Sequence, residues 1–215
     1  MKGVVLAGGR GTRLDPLTRI ANKHLLPVYD KPMIDYPIQT LRGMGCDEII
    51  IVSGGEHIGG FAEYLGEGYT YKVQSEADGI AKALSCVKGL VDGLFPVILG
   101  DNYFAEIPEM PKHPAIFTTH VSDPNRFGVY HNGEIIEKPK EFIGNRAVIG
   151  LYVYDERVFD IIDTIKPSAR GEYEITDVNN AYLKTDMEVI DYQGYWSDMG
   201  TFESLRRTAN LIADQ

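Results

Sequence analysis

Cysteine is scarce in this chain of 215 residues: Cys46 and Cys86 are the only two, far apart and set in apolar stretches. That excludes a disulfide framework or a zinc knuckle and predicts a reducing compartment, the cytoplasm. Long hydrophobic runs are missing too. No stretch approaches the ~20 apolar residues that cross a bilayer, and Met1-Lys2-Gly3 leads into a short apolar run with no cleavage site of a signal peptide. The sequence therefore predicts neither a membrane partner nor processing. Basic side chains are few, 21 against 31 acidic ones, for a net charge of −10. A broad surface tracking the phosphates of a nucleic acid is excluded, so an anionic substrate must meet a local cluster of cations or a metal. The five histidines are scattered with no metal-ligand spacing, and no internal repeat or low-complexity tract is visible.

What is present is 44% hydrophobic residues, enough for one domain with a substantial core. Three apolar runs are continuous rather than alternating: Val4 to Leu6, Ile49 to Val52 and Val97 to Leu99. Such runs suit strands buried on both faces of a parallel sheet. Between them, Ile34, Ile38 and Leu41, then Ile80, Leu84 and Val87, recur at helical spacing, so the first half reads βαβαβ. Pro37 predicts that the first helix starts or kinks near it. From about Pro114 the runs shorten: Ala115–His120, Gly128–His131, Glu134–Glu137 and Ala147–Tyr154, divided by Asp-Pro-Asn and His-Asn-Gly turn signals. Antiparallel or mixed pairing is expected there. Helices are predicted over Glu156–Ile165, Glu174–Leu183 and Thr201–Ala213, the last with Thr201 as N-cap and Phe202, Leu205, Ala209 and Ile212 facing inward.

The first strand ends in Leu6-Ala7-Gly8-Gly9-Arg10-Gly11-Thr12-Arg13. Glycines there allow backbone N–H groups to approach a triphosphate, successive N–H groups form an anion-binding nest, and Arg13 adds a forked cation. An ordinary tight turn after a strand has the same composition. The Walker ending Gly-Lys-Ser/Thr and the third glycine of the dinucleotide fingerprint are both missing. Lys23, in a polar segment before Leu25-Leu26-Pro27-Val28, is placed to fold back over this loop. Asp101 follows a buried strand, where open α/β sheets hold their ligands, although an aspartate also ends a strand in a turn.

LAGGRGTRL followed by KHLLPVYDKPMIDYP resembles the opening of the sugar-nucleotide pyrophosphorylases, a nucleotidyltransferase family, with its thymidylyl-transferring branch the nearest likeness. The resemblance continues in order through Val73-Gln74, Asp78-Gly79, LGDN ending at Asn102, Phe127-Gly128, Glu137-Lys138-Pro139, RGEYEITDVNNAYL from Arg170, and WSDMGT from Trp196. It implies a three-layer αβα sandwich with a mixed, mainly parallel central sheet, Rossmann-like. It further implies a single domain over 1–215, with a nucleotide-binding half at about 1–110 and a sugar-phosphate-binding half at about 111–215. By position, Leu6, Gly8, Gly9, Gly11, Thr12 and Arg13 hold the triphosphate together with Lys23, while Gln74 and Gly79 meet the base. Asp101 and Asp198 share Mg²⁺. Glu137 accepts from sugar hydroxyls, Lys138 pairs with the sugar phosphate, and Asn102, Gly128, Val148 and Arg170 are further sugar or phosphate contacts.

The implied activity joins glucose 1-phosphate to dTTP, giving dTDP-glucose and pyrophosphate by in-line attack on the α-phosphorus, with Arg13, Lys23 and Lys138 as catalytic cations. The partners expected are a nucleoside triphosphate and a sugar 1-phosphate, with assembly into a homo-oligomer left open. Uridylyl or cytidylyl transfer and a non-catalytic sugar-nucleotide-binding relative stay open as well. His24 stands where thymidylyltransferases carry glutamine, Ile149 replaces a threonine, and the family's further C-terminal helical segment is not matched.

Overall fold

The computed structural model describes residues 1–9 and 11–215. The chain opens with β1 (Lys2–Leu6), two short strands β2 (Pro27–Val28) and β3 (Lys31–Pro32), α1 (Asp35–Gly43), β4 (Glu48–Gly54), α2 (Ile58–Leu65) and β5 (Tyr69–Gln74). It continues with α3 (Ile80–Ser85), β6 (Phe95–Leu99), β7 (Asn102–Phe104), β8 (Ala115–His120), β9 (Gly128–His131), β10 (Glu134–Glu137) and β11 (Arg146–Tyr154). It closes with α4 (Arg157–Thr164), α5 (Ile175–Leu183), β12 (Glu188–Asp191), β13 (Trp196–Asp198) and α6 (Phe202–Ala213).

These elements form two compact units. The first comprises Met1–Ala77, Ile98–Glu109 and Gly194–Gln215, and the second Asp78–Val97 and Met110–Gln193. The chain interleaves them, where the sequence pointed to successive halves.

In the first unit β4 pairs in parallel with β1 and with β5, Val4 opposite Ile50 and Ile51 opposite Tyr71. Val4, Val5, Ile51 and Val52 are fully buried, which is why these strands read as continuous apolar runs. Pro37 lies in the first turn of α1, where its missing N–H costs no helical hydrogen bond. A second cluster, Leu14, Leu26, Val28, Met33, Tyr36, Tyr103 and Met199, packs against Leu205, Ala209 and Ile212 of α6. Through Leu14 it anchors the segment that follows the glycine loop.

Thr201 caps α6 in a reciprocal pair with Ser204, but Phe202 does not face inward: it is 49% exposed. The inner stripe runs through Ser204, Leu205 and Thr208, and Phe202 falls roughly 100° from its middle. Unforeseen elements also appear. α2 contains Gly59-Gly60, poor helix formers, and β5 is half exposed, so neither carries a clear periodic signal.

In the second unit β9 pairs antiparallel with β10 and β11, β11 antiparallel with β8, and β8 in parallel with β12. Asn132 and Gly133, both at positive φ, make the tight turn between β9 and β10 that His-Asn-Gly signalled. Among the described residues, no helix is long and apolar enough to cross a membrane.

Candidate active site

In the first unit, side chains lie close against the glycines after β1. A Cβ on Gly8 would stand 2.8 Å from Gln74 Oε1, and one on Gly9 3.3 Å from Lys23 Cε and Nζ. Gly11 has φ +66°, and a Cβ there would stand 2.8 Å from Lys23 Cβ. Lys23 therefore does fold back over this loop. It does so because Asn22 caps the turn Lys23–Leu25, accepting from His24 N at 2.9 Å, while buried Leu26 and Val28 hold the chain that follows. Arg10 lies outside the described residues.

Lys23 Nζ meets Asp101 Oδ2 at 2.5 Å, with side-chain exposures of 11% and 13%. Asp101 sits at the turn from β6 into β7, where Asn102 Nδ2 donates to its Oδ1 at 3.0 Å and Met199 N to its carbonyl at 2.7 Å. Burial alone would push the Asp101 carboxyl up. The adjacent Lys23 ammonium, with hydrogen bonds from Lys23 and Asn102, outweighs it and holds the group well below the usual carboxylate range.

β7 pairs antiparallel with β13, placing Asn102 opposite Asp198, and Trp196 Nε1 donates to Asn102 Oδ1 at 2.6 Å. A Cβ on Gly200 would stand 2.9 Å from Arg13 Nη2 and 3.6 Å from Asp101 Oδ2, so Arg13 and Asp101 both border that glycine. Leu6 itself is buried and takes part through its carbonyl, which accepts from Gly100 N at 2.9 Å. His24 is buried beside Lys23, its Nδ1 2.8 Å from Asn22 Oδ1, and a Cβ on Gly100 would come within 2.7 Å of its ring. Burial first, then the Lys23 charge, lowers the His24 pKa to about 3, so the ring is neutral.

The second unit gathers another set. Glu137 ends β10 opposite Gly128, and its Oε2 accepts from Thr176 Oγ1 at 2.6 Å. Its Oε1 faces Lys138 Nζ at 3.5 Å and Arg170 Nη2 at 3.6 Å. Gly128 is closely approached: a Cβ would stand 3.0 Å from Ile135 Cγ2 and 3.3 Å from both Glu137 Oε2 and Thr176 Oγ1. Lys138 is largely exposed and holds φ +43°. Val148, half-buried, pairs with Thr118 along β11 rather than with the charged group. Gly79 has φ +115°, and a Cβ there would stand 2.5 Å from Tyr173 O. It is needed for the turn into α3.

The first unit thus brings together Gly8, Gly9, Gly11, Arg13, Lys23, Gln74 and Asp101, with Asn102 paired to Asp198. The second brings together Gly128, Glu137, Lys138 and Arg170. Reading by motif passed over Gly200 and Thr176, although both lie inside matched phrases, WSDMGT and RGEYEITDV. Trp196, in the first of these phrases, serves Asn102 through its indole N–H.

The nucleotidyl transferase family model matches residues 2–215. A curated glucose-1-phosphate thymidylyltransferase of Neisseria gonorrhoeae is 39% identical, over 99% of this chain and 82% of its own length. The enzyme of that name from Mycobacterium tuberculosis is 38% identical over the same shares. Among solved structures, a Bacillus anthracis protein assigned as a glucose-1-phosphate thymidylyltransferase, in complex with sucrose, superposes with TM-score 0.92 at 42% identity, covering 100% of this chain and 96% of that one. A UDP-glucose pyrophosphorylase with UDP-glucose bound shares the fold, with TM-score 0.90 at 23% identity over 99% and 98% of the two chains. The mixed, mainly parallel central sheet flanked by helices is therefore the fold of this chain.

Proposed function

This chain belongs to the nucleotidyl transferase family, and we propose that it joins glucose 1-phosphate to dTTP, releasing pyrophosphate and forming dTDP-glucose. The observation that carries the reading is the buried Lys23–Asp101 pair against the glycine loop, with Arg13 at its border. An acidic protein here concentrates cations against backbone that can approach a triphosphate. The choice of dTTP and glucose 1-phosphate follows relatives of that name at 38–39% identity over nearly the whole chain.

The glycine loop and Thr12 hold the triphosphate through backbone N–H groups, with Leu6 fixing the start of the loop. Arg13 and Lys23 neutralise its charge. Gln74 and Gly79 meet the base. On the sugar side Glu137 accepts from hydroxyls, and Lys138 and Arg170 take the phosphate, with Asn102, Gly128 and Val148 as further contacts. An oxygen of the sugar phosphate attacks the α-phosphorus in line as the bond to pyrophosphate breaks on the opposite side. That oxygen is ionised at neutral pH, so no base is needed and no protein nucleophile forms. What this chain supplies is alignment and charge neutralisation.

The residues also fit Mg²⁺. Asp101 is a hard oxygen ligand kept ionised by Lys23, Asp198 faces its neighbour Asn102 across the β7–β13 pair, and magnesium takes one or two carboxylates together with substrate phosphates. When bound, the ion offsets charge on the reacting phosphates. The 215 residues act as one catalytic domain in the cytoplasm, in keeping with a sequence that holds only two cysteines.

The test is pyrophosphate release from glucose 1-phosphate with dTTP, UTP, CTP, ATP or GTP, in magnesium and in EDTA. Release that needs magnesium, is strongest with dTTP and is lost in Asp101→Asn is the expected result. Preference for UTP would overturn the nucleotide assignment, and silence with every nucleotide and several sugar 1-phosphates would overturn catalysis itself.

A further inference from the structure

Arg170 of the second unit is held by several carboxylates, and the manner of its engagement is directional. Its Nε lies 3.3 Å from Glu174 Oε1, and its Nη2 lies 2.9 Å from both Oε1 and Oε2 of the same carboxylate. Nη2 is also 3.4 Å from Glu172 Oε2 and 3.6 Å from Glu137 Oε1. Every one of these contacts runs through Nε or Nη2, one edge of the guanidinium. A planar fork gripped along one edge has the direction of its remaining Nη1 donors set by geometry.

Glu174 is itself held. Its side chain is only 13% exposed, and Ser168 Oγ donates to its Oε1 at 2.7 Å. Ser168 is fixed in turn by Ser168 N to Glu172 O and Gly171 N to Ser168 O, each 2.8 Å, so Ser168–Glu174 forms a closed loop. Glu174 also occupies the N-cap position of α5, yet its carboxylate makes no capping bond there. Its acceptors are spent on Arg170 and Ser168.

Charge makes the arrangement informative. Glu137, Glu172 and Glu174 outnumber Arg170 and Lys138 within this group. Such a group cannot attract an anion by net charge, only by a cation turned to present a bare donor pair. We propose that Glu174 is a positioning residue: it clamps the Nε/Nη2 edge of Arg170 so that Nη1 is offered to the phosphate of the sugar 1-phosphate. This rests on the function proposed above and adds to it a residue that touches no substrate.

The test is steady-state kinetics of pyrophosphate release, varying glucose 1-phosphate and dTTP separately, for the intact protein and for E174Q, E174A, R170K and R170K/E174A, with thermal melting as the check on folding. E174A should raise KM for the sugar phosphate on the order of tenfold to a hundredfold and leave KM for dTTP unchanged. E174Q, which keeps one acceptor, should recover part of that loss. The double variant should be no worse than R170K, because Glu174 acts only through Arg170. Where E174A does not fold, E174Q carries the comparison. Turnover by the parent with normal sugar-phosphate KM in the Glu174 variants overturns the clamp alone, as do losses that multiply in the double variant or fall equally on both substrates. A parent silent with every nucleotide and sugar phosphate overturns the underlying function instead.

Discussion

Replacing Lys23 by methionine removes one half of a buried ion pair while keeping most of the side-chain volume. Breaking such a pair by removing one partner costs about 3–5 kcal/mol, because the remaining charge stays buried without compensation. Both side chains here keep about a tenth of their surface exposed (11% and 13%), which argues for the low end, about 3 kcal/mol. For a chain of this length that corresponds to a fall in Tm of roughly 6–12 °C.

The pH dependence gives a sharper signature. In the parent the Asp101 pKa is depressed, so its contribution to stability is fully present above the unfolded carboxylate value and is lost only as pH falls towards the folded one. Without Lys23, desolvation dominates and the folded pKa lies above the unfolded value. Lys23→Met should then lose stability as pH rises from about 4 towards neutrality, where this group leaves the parent level. Denaturant unfolding at several pH values reads both slopes. The double variant Lys23→Met with Asp101→Asn should regain part of the loss and show no such slope. A deficit in Lys23→Met that is small and the same at every pH would refute the argument that the pair is buried and mutually dependent.

Gly79→Ala should be among the most damaging single-methyl additions, since it combines positive φ with a backbone oxygen 2.5 Å from the new Cβ; a loss on the order of 2 kcal/mol or more in equilibrium unfolding is expected. His24 has a folded pKa of about 3, so its neutral burial stabilises fully above its unfolded value and is lost as pH falls through about 6.5 towards 3. His24→Gln should flatten that acid-side slope, which reaches about 1.4 kcal/mol per pH unit, in unfolding measured between pH 7 and 4. Thr201→Ala should cost roughly 1 kcal/mol by removing the cap of α6, with thermal melting as the measurement.

Where a residue's signal was local, the sequence was enough. Val4 to Leu6 and Ile49 to Val52 are strands because continuous apolar runs of that length need cover on both faces, and the spans of β8, β9 and β10 follow from runs bounded by turn residues. The family was legible too, because its motifs recur in order along nearly the whole chain. Helix phase was less so: Phe202 has the right spacing for an inner face, but the side of α6 that packs on the core runs through Ser204, Leu205 and Thr208 and leaves Phe202 49% exposed.

Composition and motif order thus determined the fold class, the family, and the glycine loop with its cations. Only the tertiary structure decided that Lys23 and Asp101, 78 positions apart, form one buried pair, that Gly200 borders Arg13, and that Glu174 grips Arg170 along one edge. Strand and turn propensities act over a few neighbouring residues. The direction of an ammonium or guanidinium is set by whichever carboxylates the fold brings within hydrogen-bond reach, and that depends on the whole chain at once.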